Sequence, residues 1–94
     1  MKIFVMSRGW NLYGEVKDQV QQGDEMFLEL KRCGVIRRWG TTEGLGQLAK
    51  QGPLEETILD PEPDGTRIGV LEIHREIPCE TNAWKSVKNM TVKE

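Results

Sequence analysis

Residues 37–46 read RRWGTTEGLG, which places two guanidinium groups, an indole, two hydroxyls and three glycines within ten positions. Arg37 and Arg38 have the fork geometry that grips a phosphate or carboxylate bidentately, and Trp39 offers a flat face for a base or an apolar group. A glycine-rich turn opening a helix presents backbone N–H groups to an anion, so Gly40, Gly44 and the hydroxyls of Thr41 and Thr42 complete an anion-binding junction. A bland arrangement uses the same residues: Trp39 in the core, Thr42 as a helix cap and the glycines as close-packing points. Arg8-Gly9-Trp10 forms a second arginine and tryptophan pair beside a turn, so Arg8 and Trp10 are further candidates for contacting a ligand or partner, and Trp84 supplies a third indole.

Residues 40–46 also fit G-x-x-x-G-x-G, a spacing that turns a strand into a helix beneath a dinucleotide. That fold needs several βαβ units, whereas the segments before this motif alternate like hairpins, so a dinucleotide-binding sheet is set aside. No catalytic constellation accompanies the junction. His74 is the only histidine and has no cysteine at ligand spacing, so no metal or cofactor is expected. Ser7 and Ser86 lack a motif that would tie them to a base, and Glu55-Glu56 is ordinary for a surface loop. The expectation is a protein that binds rather than catalyses.

The elements that must hold these groups follow from hydrophobic period. Short alternating or β-branched runs predict strands over residues 3–6, 10–17, 26–31, 35–39, 57–59 and 67–77, the last containing a bulge or a division into two. Gln19 to Asp24 is polar and contains Gly23-Asp24, a hairpin loop; Cys33-Gly34 separates the third run from the fourth. If Ile36 faces the core, alternation turns Arg37 and Trp39 outward. One helix is expected over residues 42–51, capped by Thr41 or Thr42, with Glu43 in its first turn, a stripe of Leu45, Leu48 and Ala49, and a Gly52-Pro53 stop.

Small strand-dominated chains hide their edges by curling, so the fold class is mainly β, a β-rich α+β chain: a strongly bent antiparallel barrel or roll of SH3-like or Sm-like character, with the helix inserted after the fourth strand. A split α+β sandwich is the second choice. Ninety-four residues make one domain, residues 1–94, divided into a barrel with its inserted helix over 1–79 and a polar segment over 80–94, expected as a short helix or docked segment before a frayed end.

A net charge of −2 gives no general field for a polyanion, so contact with nucleic acid or a nucleotide must be local. Lys31, Arg32, Arg37 and Arg38 supply such a local cluster, against an acidic segment of Glu55, Glu56, Asp60, Glu62 and Asp64. The apolar run Ile3 to Met6 is too short for a membrane span or a signal core, so no membrane association and a cytoplasmic location are expected. Cys33 and Cys79 read as free structural thiols rather than a disulfide.

Across most of its length the chain resembles a family of small proteins of unknown function from tailed bacteriophages and prophages. The similarity is carried by IFVMSRGWNLYGEV, VIRRWGTTEGLGQLAKQGP, TILD and EIHREIPCETNAW, the central stretch being the most distinctive. The resemblance implies a phage accessory product acting in the host bacterial cytoplasm, and it brings no established activity from which catalytic residues transfer. Proteins of this class often block a host defence system by stoichiometric binding. The expected partner is therefore a host defence protein or a small anionic, nucleotide-like ligand, bound through Arg37, Arg38, Trp39 and the turn over residues 40–46. A homo-oligomer is expected with it, because shared sites enclose a ligand more fully than one small barrel can. A nucleic-acid-binding barrel, disfavoured by the acidic pI, and a virion or assembly component are the alternatives.

Overall fold

A computed structural model describes residues 1–40 and 42–87. Its strands are β1 (Lys2–Met6), β2 (Asn11–Gln22), β3 (Glu25–Arg38), β4 (Ile58–Glu62), β5 (Thr66–Gly69) and β6 (Ile73–Pro78), with the helix α1 (Leu45–Gln51) between β3 and β4. Single 3-10 turns occupy Val70–Glu72 and Asn82–Trp84. The chain is mainly β: one antiparallel six-stranded sheet runs β4-β3-β2-β1-β6, and β5 also pairs with β3. Among the described residues no ladder joins β6 to β4 or β5.

The third and fourth expected strands are one strand, which puts the helix after the third strand rather than the fourth. Continuity depends on Arg32, the one described non-glycine residue with positive φ, at 50°. Between the pairs Tyr13↔Gly34 and Glu15↔Lys31, β3 carries one residue more than β2. Such a bulge turns the strand without ending it. The Asp64 carboxylate accepts the Arg32 backbone N–H at 2.9 Å, which stabilises a conformation a long side chain otherwise avoids. The bend lets one strand serve two partners: residues 27–30 pair with β5 and residues 33–38 with β4.

Gly34 sits in that second ladder because a Cβ there would collide with the Asp60 carbonyl oxygen and come within 2.7 Å of the Tyr13 hydroxyl. The polar run expected as a hairpin loop continues β2 to Gln22, leaving only Gly23-Asp24 as the turn. Its backbone groups are satisfied by the apolar half of β3, so polar side chains on both faces do not prevent pairing. The run over residues 67–77 does divide in two, at the 3-10 turn Val70–Glu72.

Two apolar clusters line the sheet. On one face Ile3, Tyr13 and Ile36 pack with Leu48, Ala49 and Trp84; the other cluster joins Phe4, Leu28, Leu30, Cys33 and Ile68. Trp84 is a core residue, 0 % exposed, with its ring centroid 5.9 Å from that of Tyr13 and its indole N–H donating to the Ala49 carbonyl at 3.1 Å. The C-terminal segment is thus docked through a short 3-10 helix as far as Val87, and residues 88–94 of the expected polar tail, including its expected fraying, lie outside the described residues. Both cysteines are free thiols, one in each cluster's surroundings.

The helix is shorter than the expected residues 42–51, and Thr42 does not cap it. Gly44, at φ 84°, is the N-cap and contributes no side-chain bond. Gln47 replaces the threonine by reaching back: its Oε1 accepts the Glu43 backbone N–H at 2.7 Å and lies 3.3 Å from Thr42 Oγ1. Glu43 precedes the first turn instead of occupying it. Thr41, the other expected cap, lies outside the described residues. Gly52 ends the helix as expected, its N–H donating to Leu48 at 2.8 Å. No described helix is long and apolar enough to cross a membrane.

Candidate functional site

The junction after β3 turns its charged groups outward but pairs them internally. Arg37 Nε and Nη2 donate to both oxygens of Asp60 at 2.9 and 2.7 Å, and Arg38 lies 3.5 Å from Glu56. The Asp60 carboxylate, by direct hydrogen bonding and then by charge, holds the Arg37 proton more firmly than an arginine ordinarily does. A register shift between Ile36 and Arg38 explains why both arginines reach the surface while Ile36 is buried.

Trp39 is exposed, at 42 %, and its carbonyl accepts the Thr57 hydroxyl at 2.6 Å. Gly40, at φ 69°, has its Cα pressed against the Glu56-Thr57 backbone, and a Cβ on Gly44 would lie 3.7 Å from the Trp39 ring. These two glycines shape the turn. With the Glu43 N–H taken by Gln47 and both guanidinium groups paired with carboxylates, these described groups of the junction are engaged within the chain.

Arg8 and Trp10 lie elsewhere, on the rim of a cleft of about 430 Å³ between the β1–β2 turn and β4–β5. Gly9, at φ 85°, and the bond from Met6 N–H to the Trp10 carbonyl at 2.8 Å form a tight turn that throws Trp10 outward, 60 % exposed. The turn is fastened to the 3-10 turn before β6: Ser7 N–H donates to the Glu72 carbonyl at 2.8 Å, and its hydroxyl donates to the Glu72 carboxylate. Leu12, Val35 and Ile68 give the cleft an apolar floor.

Three charged groups on the cleft wall have no partner among the described residues. Arg8 makes no ion pair there, and Arg67 makes none either, although Glu29 is its cross-strand neighbour. Glu62 is half-buried on β4 and its carboxylate accepts no hydrogen bond from a described side chain. Every other arginine except Arg75 is paired: Arg32 with Glu15, Arg37 with Asp60, Arg38 with Glu56. Cys33 is buried opposite Glu62 in the β3–β4 ladder, and burial raises its thiol pKa.

The arrangement can hold a flat ring against Trp10 over an apolar floor while two guanidinium groups take an anionic substituent. Sequence reasoning placed Arg8 and Trp10 in a site but missed Arg67 and Glu62. No local signal marks them, because only the β3–β5 and β3–β4 ladders bring them to the β1–β2 turn. No group of three metal-ligating side chains occurs among the described residues, and His74 is exposed. Comparison with known proteins finds no matching family model, no matching curated protein and no matching solved structure.

Proposed function

We propose that this is a stoichiometric, non-catalytic binding protein that sequesters a small anionic, nucleotide-like ligand, in the setting the sequence resemblance implies: a phage accessory protein inhibiting a host bacterial defence signal in the cytoplasm. The observation that carries the reading is the cleft whose apolar floor lies with an exposed Trp10 and with Arg8 and Arg67, neither of which makes an ion pair among the described residues. Unpaired guanidinium groups are ready for a phosphate without first breaking an internal pair, unlike Arg37 and Arg38. A cleft of this volume matches a single small ligand.

Purified protein incubated with a nucleotide pool, freed of unbound material and then heated should release an unaltered nucleotide in fixed ratio to protein. Trp10→Ala and Arg67→Ala should abolish retention. No nucleotide retained at micromolar protein would refute the reading.

A second reading, sequestration of a defence protein, is favoured by Trp39, Leu54 and Ile58, all exposed around the turn that Thr57 ties to Trp39. Exposed aromatic anchors of this kind are what protein interfaces bury. Capture of a host protein that Trp39→Ala loses and Trp10→Ala keeps would select it over the first.

A further inference from the structure

Resting on the small-ligand reading, we infer that the cleft selects a guanine nucleotide and that Glu62 is the residue determining this specificity. Glu62 is placed by its pairing with Cys33 at the β3–β4 ladder and lines the same cleft as Trp10, Val35 and Ile68. The other acidic group there, Glu72, is already engaged by the Ser7 hydroxyl, so Glu62 is the carboxylate left to meet a ligand.

A carboxylate only accepts hydrogen bonds. A ring that fills the cleft from Trp10 to Glu62 displaces water from the half-buried carboxylate, and a ligand that offers no donor leaves a drying anion unpaired, which is costly. Guanine offers two parallel donors on one edge, N1–H and the 2-amino group, matching the two carboxylate oxygens. Adenine sets its 6-amino donor beside the N1 lone pair, which repels the second oxygen. Hypoxanthine keeps N1–H but lacks the amino group. Arg8 and Arg67 serve the phosphate whichever base is present, so they contribute affinity and Glu62 contributes the ranking.

Titration of the full chain with GMP, IMP and AMP, followed by tryptophan fluorescence and with Trp10→Phe to assign the signal, tests this. GMP should bind at least about tenfold more tightly than IMP or AMP, the scale of one charge-assisted hydrogen bond. Glu62→Gln, whose amide offers one donor and one acceptor, should erase the difference between GMP and AMP while all three still bind. AMP or IMP binding the unaltered protein as tightly as GMP would overturn the guanine assignment and leave the small-ligand reading standing. No quenching by any of the three, with no nucleotide retained from a pool, would overturn both.

Discussion

Arg32 Nη1 donates a 2.8 Å hydrogen bond to the carbonyl of Trp84, joining the left-handed bulge residue of β3 to the 3-10 turn that closes the apolar face. The same nitrogen donates to the Val87 carbonyl, and Nη2 lies 3.3 Å from Glu15 on β2. One side chain thus reinforces carbonyls at the end of a short helical turn, where the Trp84 carbonyl also accepts the Val87 N–H at 3.2 Å.

Arg32→Ala should therefore destabilise the protein by about 2–3 kcal/mol, from the lost charge-assisted bonds to Trp84, Val87 and Glu15. Urea denaturation gives the magnitude. Hydrogen exchange should show residues 82–87 losing protection before β1 and β2 do; uniform loss across the chain would contradict the clamp.

The three tryptophans should separate cleanly by substitution. Trp84→Phe leaves the Ala49 carbonyl without its indole donor and shrinks a fully buried side chain, costing about 2 kcal/mol, yet ligand retention should survive. Trp10→Ala should change stability by less than about 0.5 kcal/mol, as exposed positions usually do, and abolish retention. Thermal melts and the heat-release assay on both variants decide the matter.

Glycine replacements should differ in sign. Gly46 lies inside α1 with nothing within 4 Å of a built Cβ, so Gly46→Ala should stabilise by about 0.5–1 kcal/mol. Gly34→Ala drives a methyl into the Asp60 carbonyl and should loosen β4 from β3, a loss of more than about 2 kcal/mol. Urea midpoints of the two variants against the parent provide the comparison.

Alkali should destabilise the protein through a buried phenol and a half-buried thiol. Burial, followed by the charges of Cys33, Glu62 and Asp60, raises the Tyr13 pKa from 10.0 to about 12, and burial raises Cys79 from 9.0 to about 11. Each group keeps its proton longer when folded, so the unfolded chain binds fewer protons in these windows and stability falls as pH rises. The contribution is fully present below pH 9, and is lost from about pH 9 to 11 for Cys79 and from about 10 to 12 for Tyr13. Tyr13 is the only tyrosine, so phenolate absorbance reports it without ambiguity, and a midpoint near 10 in the folded protein would refute the shift.

Much of the sheet was legible because side-chain alternation is a property of the strand's own backbone: residues 3–6, the start of β2 and the Gly52 stop follow from local pattern. Alternation also turned Arg37 outward once Ile36 was assigned to the core. The pairing of the arginines at the junction was not legible for a physical reason. Composition identifies which groups can bind an anion, but not that Asp60 and Glu56, about twenty residues away along the chain, already occupy the guanidinium groups.

By itself, then, the sequence determined a small β-rich chain with one short helix, no histidine cluster and an unusual supply of indole and guanidinium groups. Tertiary structure alone decided that β3 runs on through Arg32, because Asp64 holds its left-handed backbone from across the fold. It also decided that Trp84 is buried while Trp10 stands at a cleft with Arg67 and Glu62. Pairing between distant strands makes these neighbours, and no period, cap or turn residue encodes which strand another will meet.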